Sequence, residues 1–430
     1  MNTLGLIVEY NPFHNGHQYH LEQSMKLTKA THVMAVMSGD FVQRGMPAFT
    51  DKWVRTKMAL DCGVNLVVEL PAFFAFQDAG GFASGAVHLL DRTGLCDYLV
   101  FGSESGNIEL LKETARVLVE NEYTLSEIEE KYMKMGFSHP NARKYALNDL
   151  LEQSGKKGVL DILASSNDIL GLEYLKALKK IRSRMQALCI HRIGSDYHNE
   201  EMLDNLSSAT AIRKEYLNGD ISNIQSNVPK KVWDILKDKN FKQVTPNIGD
   251  FETTLLNKFR ALTRDHIKRY YGFTEGLDLR FSEFSMKAKR LDELLLAVKT
   301  KRFTYTRLQR LLLYFLFELT TAEVKQAQEY GPQYIRVLGF DEKGREWLAE
   351  MKKTATLPII STPSNYHKTY MKYEQAFDDT IEKPYYSTYE IFKRHIQFDF
   401  RVSDYYTCLQ WGFLPDTEMD IKKKPISISI

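Results

Sequence analysis

The sequence predicts an α/β fold in which a parallel sheet, covered by helices on both faces, is followed by a mainly helical, basic region. Short and continuously apolar runs alternate with helical patterns as far as about residue 228, and long helical segments take over beyond it. Such apolar strands separated by helices are typical of a parallel sheet buried on both faces. Because 430 residues exceed the usual size of one domain, we predict two domains, at residues 1–228 and 229–430.

The strands of the predicted sheet are short apolar runs, at residues 4–10, 32–38, 66–70, 98–102 and 188–193. Between them, apolar residues recur every three or four positions, which predicts crossover helices, at residues 52–60, 83–90, 108–118 and 169–181. A further strand is possible at 359–361. Ligands of open parallel sheets bind at the carboxyl ends of the strands, so the residues that follow each strand are the first candidates for a site.

Charge and cysteine content exclude some classes of protein. The formal net charge is only +2 at pH 7, so any basic surface must be local. The cysteines form no C-x-x-C pair, which argues against a zinc ribbon or a disulfide framework and suits a reduced cytosol. The densest apolar run, 311–317, is too short to span a bilayer, and the N-terminus does not resemble a signal peptide. We expect a cytoplasmic protein with no membrane partner.

The first strand runs directly into residues 10–17, Y-N-P-F-H-N-G-H, after which 18–27 have helical periodicity. His14 and His17 would share one face at the first turn of that helix, where the N-terminus adds N–H groups and a positive dipole end. Imidazole N–H donors at this spacing stabilise negative charge that develops on phosphoryl oxygens. A bare H-x-x-H pair is more often a solvated helix face or a metal pair, but the position after the first strand favours a phosphate site.

This stretch resembles the H-x-G-H signature of the nucleotidylyl-transferase superfamily, which implies a Rossmann-like nucleotidylyl-transferase domain that binds ATP. Small cofactor adenylyltransferases carry Gly-x-Phe-Asp-Pro ahead of the signature, whereas this chain has V-E-Y-N-P at 8–12. Three further segments match a narrower group: S-G-D-F-V-Q-R-G at 38–45, S-N-D-I-L-G at 166–171 and K-R-F-T-Y-T-R at 301–307. With them, the chain is similar to the tRNA(Met) cytidine acetate ligase family.

That resemblance implies an ATP-dependent ligase. Acetate and ATP would give acetyl-AMP and pyrophosphate, and the acetyl group would pass to the N4 amine of the wobble cytidine of elongator tRNA(Met), giving N4-acetylcytidine. Mg²⁺ would arrive with the nucleotide and need no dedicated protein metal site, and no stable protein partner is implied. Two alternatives remain open: a small-molecule adenylyltransferase of coenzyme or dinucleotide synthesis, and a non-catalytic RNA-binding module.

By the same resemblance, His14 and His17 are the expected catalytic residues, and the ATP site takes in the motif and the ends of later strands. The expected ATP-binding residues are Ile7, Val8, Glu9, Tyr10, Asn11, Pro12, Phe13, His14, Asn15, Gly16, His17, Gln18, Tyr19, His20, Gly102, Asn167, Arg192, Ser208 and Thr210. Gly102 permits close backbone approach, Asn167 can cap a helix or read an adenine edge, and Arg192 can pair with phosphate. A turn glycine, an ordinary N-cap and a surface arginine are the alternatives.

Two polar segments leave their roles open. Ser208 and Thr210 belong to S-S-A-T-A-I-R at 207–213, where phosphate binding and helix capping explain the hydroxyls equally well. Electrostatic help from Arg213 or Lys214 is uncertain. The loop at 38–45 follows the second strand and offers Asp40, Gln43 and Arg44 as contacts to a carboxylate or to magnesium-bound water.

Residues 256–310 hold fourteen Lys or Arg against six Asp or Glu, which predicts a surface that binds RNA phosphates. The expected tRNA-binding residues are Lys268, Arg269, Lys299, Lys301, Arg302, Arg307 and Arg310. Interleaved aromatic side chains could stack on an unpaired base, namely those of Tyr270, Tyr271, Phe273, Phe303 and Tyr305. A solvated charged helix is the alternative explanation.

Overall fold

A mostly parallel sheet of eight strands forms the centre of the protein. We describe it from a computed structural model, which describes residues 1–137, 139–153, 162–192, 208–219, 221–238, 245–377 and 389–429. Along the sheet the strands follow the order β10 (Ile426–Ser427), β8 (Ile335–Phe340), β5 (Leu66–Leu70), β2 (His32–Ser38), β1 (Thr3–Val8), β6 (Tyr98–Ser103) and β7 (Gln186–His191), and β9 (Ile359–Ile360) pairs with β8. The predicted α/β class with a parallel sheet is confirmed.

The strands of the first half lie close to their predicted positions. They are β1 Thr3–Val8, β2 His32–Ser38, β5 Leu66–Leu70, β6 Tyr98–Ser103 and β7 Gln186–His191. All pairs among these five strands are parallel. The predicted first strand extends two residues too far, and Ile193, at the end of the predicted 188–193 strand, lies outside the described residues. Between β2 and β5 a small antiparallel hairpin is formed by β3 Phe41–Val42 and β4 Met46–Pro47.

A crevice opens between β1 and β6 at the carboxyl edge of the sheet. In the described chain these two strands pair at Leu4 with Tyr98 and at Gly5 with Leu99 and no further. Their outer neighbours stay paired up to Val8 on one side and Ser103 on the other. The strand order also reverses direction at this point, and such switch points are where open α/β sheets bind ligands.

Helices cover both faces of this sheet in the first half. They are α1 Asn15–Thr28, α2 Lys52–Asp61, α3 Ala72–Ala75, α4 Ala79–Arg92, α5 Ile108–Glu120, α6 Glu122–Lys134, α7 His139–Gln153 and α8 Ser166–Lys180. One apolar cluster joins α4, α5 and α8 to one face, and a second cluster joins α1 and α2 to the other. The predicted crossover helices are therefore present, with their apolar stripes against the sheet.

The second half is mainly helical. Its helices are α9 Ala209–Asn218, α10 Lys230–Leu236, α11 Glu252–Ala261, α12 Arg264–Ile267, α13 Leu277–Ser285, α14 Leu291–Val298, α15 Tyr305–Leu316, α16 Thr321–Tyr330, α17 Glu342–Thr354, α18 Tyr366–Phe377 and α19 Tyr389–Trp411. Within the described residues no helix is both long enough and apolar enough to cross a membrane.

The last hundred residues also return to the sheet of the first half. Strand β8, Ile335–Phe340, pairs antiparallel with β5, and β10, Ile426–Ser427, pairs parallel with β8. The possible strand at 359–361 is confirmed as β9, Ile359–Ile360. The domain boundary at 228–229 stays a prediction, although the region after it contributes three strands to a sheet expected to lie before it.

Candidate active site

The two motif histidines lie against each other at the start of α1. Their ring centroids are 3.8 Å apart, with ring planes inclined by 31°. His14 is the N-cap residue of the helix, with extended backbone angles. Gly16 N–H donates to His14 Nδ1 at 3.0 Å, and His14 N–H donates to His17 Nδ1 at 3.3 Å. This reciprocal arrangement has the form of a capping box, with imidazoles in the places usually taken by a hydroxyl and a carboxylate.

These hydrogen bonds decide which ring nitrogen carries the proton. Because Nδ1 is the acceptor in both rings, each neutral imidazole must hold its proton on Nε2. Burial lowers the pKa of His14 to about 3, assisted by the charges of Arg192 and Arg213. Burial also holds the pKa of His17 well below its ordinary value, with His14 and Arg192 acting in the same direction. At neutral pH the pair therefore presents two uncharged Nε2–H donors.

Aromatic residues of the motif hold the ring of His17 in place. Tyr10 lies edge-on to His17 with centroids 5.0 Å apart, and Phe13 lies 5.6 Å from it. The side chains of both aromatic residues are buried. Tyr10 has a positive φ of 46°, a strained conformation that is found mainly where function or surrounding structure requires it. The buried side chains of Tyr10 and Phe13 thus support the imidazole of His17.

The helix N-terminus itself differs from the expectation. We expected backbone N–H groups to receive an anion there, but Gly16 N–H is engaged by the His14 ring, and His17 and Gln18 N–H donate to His14 O at 2.9 and 3.1 Å. These three backbone N–H groups therefore donate within the turn itself. The Nε2–H groups of His14 and His17 make none of these hydrogen bonds and are candidate donors to a phosphate.

Three predicted ATP-binding residues meet across the crevice from the histidines. Arg192, at the end of β7, donates from Nη1 to Asn167 Oδ1 at 3.0 Å. Gly102, at the end of β6, lies beneath the Arg192 side chain, and a Cβ added there would come within 3.3 Å of Arg192 Cγ. Glycine at this position therefore leaves room for the arginine arm. The charge of Arg192 also lowers the pKa of both motif histidines, which places it within electrostatic range of them.

Glu104 organises this group and was not anticipated. Its Oε1 accepts from Asn167 Nδ2 at 2.6 Å and from Asn167 N–H at 3.2 Å, and its Oε2 accepts from Asp168 N–H at 2.9 Å. The carboxylate caps the N-terminus of α8 and orients the Asn167 amide toward Arg192. The available sequence signal was weak: Glu104 follows a strand end, as functional loop residues often do.

The segment 208–213 docks onto the motif through Arg213. Arg213 Nη1 donates to Asn11 O at 2.7 Å, and Nη2 donates to Thr210 Oγ1 at 3.1 Å. Ser208 is the N-cap of α9, and its Oγ accepts from Ala211 N–H at 3.2 Å. The structure thus displays the capping role of Ser208, and a phosphate contact stays a prediction. Ser207, the first residue of the segment as predicted, lies outside the described residues.

The loop after β2 connects to the first strand through Glu9. Gln43 N–H donates to Glu9 Oε1 at 2.7 Å. Burial raises the pKa of Glu9, while Gln43 N–H and nearby arginines, Arg44 and Arg213 among them, oppose that rise. Asp40 has a supporting role, since its Oδ1 accepts from Lys52 N–H at 2.7 Å. The loop therefore lies beside the histidine site, as its position after β2 predicted.

The predicted tRNA-binding residues of the second half differ in exposure and in ion pairing. Lys268, Arg269, Lys299 and Lys301 are exposed. Among the described residues none of these four makes an ion pair, so their charges are available to phosphates. The same sequence segment holds two aromatic residues that cannot stack on a base as expected, because Phe273 and Phe303 are buried in the apolar core.

The remaining three basic residues are partly engaged. Arg302 and Arg307 both pair with Glu275, at 2.6 and 3.1 Å, which holds them side by side. Arg310 lies on α15 against the β3–β4 hairpin of the loop at 38–45, which we call the site loop. Its Nη1 is 3.5 Å from Gln43 O. Gly45 touches the same helix so closely that a Cβ would lie 2.4 Å from Arg310 N. The basic helix is therefore in direct contact with the loop beside the histidines.

No group of three or more His, Cys, Asp or Glu side chains in the described ranges is placed to hold a metal ion. That Mg²⁺ arrives with the nucleotide and needs no dedicated protein site stays a prediction. Magnesium usually binds through substrate phosphates with one or two carboxylates and several waters, which is compatible with an ion that enters with the nucleotide.

Comparison with known proteins decides the family. The model of the HIGH Nucleotidyl Transferase family matches residues 1–412. The chain is 45% identical over 366 residues to the tRNA(Met) cytidine acetate ligase of Fervidobacterium nodosum, and 85% of each chain is covered. It is 40% identical over 427 residues to that of Thermotoga maritima, with 98% of each covered. The chain belongs to the tRNA(Met) cytidine acetate ligase family. As a member of this family it is a ligase.

Solved structures of the tRNA(Met) cytidine acetate ligase family share the fold. The crystal structure of Thermotoga maritima TmcAL bound with alpha-thio ATP has a TM-score of 0.89 and 39% identity, with 100% of both chains covered. The apo form of the same protein has a TM-score of 0.91 and 38% identity over the same coverage. The expected Rossmann-like nucleotidylyl-transferase fold is therefore confirmed for this family member, and the assignment of individual ATP and tRNA contacts stays a prediction.

Proposed function

We propose that this protein binds ATP, joins it to acetate as acetyl-AMP and transfers the acetyl group to the N4 amine of the wobble cytidine of elongator tRNA(Met). The observation that carries the proposal is the pair of neutral imidazoles after β1, whose Nδ1 atoms accept backbone N–H groups and whose Nε2 atoms therefore carry the protons. Support also comes from the names of the relatives and from the ATP analogue bound by the Thermotoga maritima protein.

In the first step, a carboxylate oxygen of acetate attacks the α-phosphorus of ATP, and the bond from that phosphorus to the bridging oxygen of pyrophosphate breaks. Charge develops on the phosphoryl oxygens, and the Nε2–H groups of His14 and His17 are suited to stabilise it. Neutral donors are fixed before the reaction, so they need no reorganisation as the charge develops. Arg192 and Arg213, whose charges act on His14, add a positive potential that favours a polyphosphate. Mg²⁺ would neutralise part of the triphosphate charge.

In the second step, the cytidine amine attacks the acetyl carbonyl carbon, the bond from that carbon to the phosphate oxygen breaks, and AMP leaves. The amine loses a proton, which passes to solvent. A wobble base must leave its stack to reach such a crevice, and enzymes that act on bases extrude them in this way. The exposed charges of Lys268, Arg269, Lys299 and Lys301 suit the neighbouring phosphates.

The contact between α15 and the site loop favours this reading over the two alternatives. A small-molecule adenylyltransferase would have no use for a basic helix packed on its catalytic loop, yet Gly45 and Arg310 bring the two together. A non-catalytic RNA-binding module would not need the ordered pair of imidazole donors at a sheet switch point. An enzyme that forms an adenylate and also binds RNA accounts for both the imidazole pair and the basic helix.

The test is to incubate the purified protein with labelled acetate, ATP and bulk tRNA, and to compare it with the double variant His14→Ala/His17→Ala. Loss of a single preorganised donor typically reduces turnover by about 10²–10³-fold, so the double variant should show no acetate-dependent pyrophosphate release while it still binds tRNA. His367→Ala is a matched control, because His367 is exposed on α18. Acetate-dependent turnover that survives in the double variant would falsify the role of the histidines. Label that never reaches tRNA would refute the transfer step.

A further inference from the structure

A cavity of about 590 Å³ lies in the second half of the protein, between the end of α15 and the long helix α19. Four aromatic residues contribute to its wall, namely Phe317, Tyr366, Phe400 and Tyr405. This volume is in the range of sites for small molecules, and aromatic walls with a few polar groups are typical of them. Nothing in the proposed adenylation chemistry uses this cavity.

One face of α19 supplies most of the polar groups. Gln397, Arg401 and Asp404 line the cavity together with Phe400, Tyr405 and Cys408. These positions are spaced by three or four residues, so they form one continuous stripe on the helix. The stripe alternates flat aromatic surface with hydrogen-bonding groups, an arrangement that suits a ligand with an aromatic face and a polar edge.

Arg401 and Asp404 each have side-chain atoms that make no hydrogen bond within the described residues. Arg401 donates from Nη2 to Phe317 O at 2.7 Å, and its Nε and Nη1 have no hydrogen-bond partner among the described residues. Asp404 accepts on Oδ1 from Asp420 N–H at 2.8 Å, and its Oδ2 has no hydrogen-bond partner in that part of the chain. The cavity therefore offers both donors and an acceptor.

The cavity adjoins the basic surface and the site loop. Its rim includes Leu316, Phe317 and Glu318, which end the same helix that carries Arg307 and Arg310. Six residues separate Arg310 from Leu316, a rise of about 9 Å along an α-helix. Phe317 also contacts Phe41 of the site loop hairpin, with ring centroids 5.3 Å apart. A strand of RNA that follows α15 from Arg310 to its end would reach this rim.

We propose that this cavity binds one unpaired base of the RNA substrate, next to the cytidine that enters the active site. The inference rests on the proposed function, because it takes RNA to be the substrate. An unpaired base has an aromatic face for the tyrosine and phenylalanine walls, and an edge with donors for Asp404 and acceptors for Arg401. Sequence-specific proteins recognise RNA loops in this way, by stacking displaced bases on aromatic side chains.

The proposal can be tested by filling the cavity from its rim. Gln397 is exposed, and its Nε2 makes a single side-chain bond within the described residues, to Tyr366 Oη at 3.2 Å, so Gln397→Trp should fold and occupy the space. Stacking of one base changes RNA affinity by about 5- to 150-fold, and we expect a loss of this size in the Kd for tRNA. Acetate-dependent exchange of pyrophosphate into ATP, measured without RNA, should not change. Lys368→Trp, at an exposed position of α18 outside the cavity, is the matched control.

RNA hairpins of the anticodon arm, each with one abasic position, identify the base. One hairpin will lack the base that enters the cavity, and the wild-type protein should bind that hairpin as weakly as Gln397→Trp binds the intact hairpin. When Gln397→Trp is tested with that abasic hairpin, the loss of affinity should be no larger than for either change alone. Asp404→Asn should weaken binding of the intact hairpin in the same assay. Equal affinity of wild type and Gln397→Trp for every hairpin overturns the proposal, as does a parallel loss of pyrophosphate exchange. If the wild type itself neither exchanges pyrophosphate nor acetylates tRNA, the proposed function fails instead.

Discussion

At the scale of single residues, polar side chains of the candidate site are held in place by hydrogen bonds to neighbouring side chains. Glu104 is the clearest case, because its two carboxylate oxygens accept from Asn167 and Asp168 and leave Asn167 Oδ1 directed at Arg192. The carboxylate of Glu104 orients the Asn167 amide, which in turn orients the guanidinium of Arg192 and so fixes the position of this cation. We regard Glu104 as a positioning residue for Arg192.

Glu104→Ala should weaken ATP binding by about 10- to 150-fold, the range expected for the loss of one hydrogen bond to a charged group, about 1.5–3 kcal/mol. The informative measurement is a double-mutant cycle with Arg192→Ala, with the Kd for ATP as the readout. If Glu104 acts through Arg192, its removal should have little further effect once Arg192 is gone. Additive losses would show that Glu104 only caps α8. Glu109→Ala, which removes an exposed pair with Lys112, should leave the Kd unchanged.

At the scale of secondary-structure elements, the β3–β4 hairpin joins the site loop to the basic helix α15. Gly45 closes this hairpin with φ of 77° and packs on the backbone of Arg310. Both features favour glycine, because a Cβ at this φ is strained and would also meet main-chain atoms that cannot move aside. The hairpin and α15 are thereby held in one arrangement.

Gly45→Ala should lower stability and reduce transfer of acetate to tRNA, because α15 must shift away from the hairpin. A suitable control is Gly219→Ala, since Gly219 has a similar φ of 83° but, among the described residues, no atom within 4 Å of an added Cβ. The control carries the backbone penalty alone, about 1–3 kcal/mol, and should leave acetylation intact at temperatures where it is folded. Denaturant unfolding and tRNA acetylation assays compare the two. Equal effects on acetylation would mean that the contact with Arg310 is not required.

The accuracy of the sequence-based predictions also varies by element. β2 and β5 have the predicted bounds, 32–38 and 66–70, because every residue in them is buried and the apolar run marks the strand. β8 was missed because Arg336 interrupts its apolar run. That arginine is buried and paired with Glu69 and Asp420. No local pattern shows that a charged residue will find partners so far along the chain.

In the candidate site, too, some features were predictable from the sequence and others were not. His14, Gly102, Asn167 and Arg192 were expected in one site from the family resemblance, and the structure brings them together at the carboxyl edge of the sheet. The hydrogen bonds between side chains were not predictable, since they depend on tertiary geometry. The buried state of Phe303 was missed for a related reason: an aromatic residue among lysines can face either the core or the solvent.

At the scale of the whole molecule, a buried cluster of charges ties the end of the chain to the central sheet. Lys52 and Arg336 share Glu69 and Asp420, with N–O distances of 2.5 to 3.1 Å. All four side chains are at most 5% exposed. They come from α2, β8, β5 and the segment before β10, so the cluster joins both halves of the sequence. Two cations and two carboxylates balance each other only while the last segment stays in place.

Asp420→Ala should destabilise the protein by about 3–5 kcal/mol, because it leaves two buried cations with a single carboxylate. Burial alone would raise the pKa of Asp420, but Arg336 and Lys52 hold it below its ordinary value. A lowered pKa means that the contribution of this carboxylate is present above the unfolded value near 4 and is lost as the pH falls below it. Urea unfolding from pH 8 down to pH 3 should therefore show a constant difference from wild type that shrinks at the acid end. Asp416→Ala, whose carboxylate is 93% exposed, should match wild type throughout, and a similar match for Asp420→Ala would show that other contacts hold the C-terminal segment on the sheet.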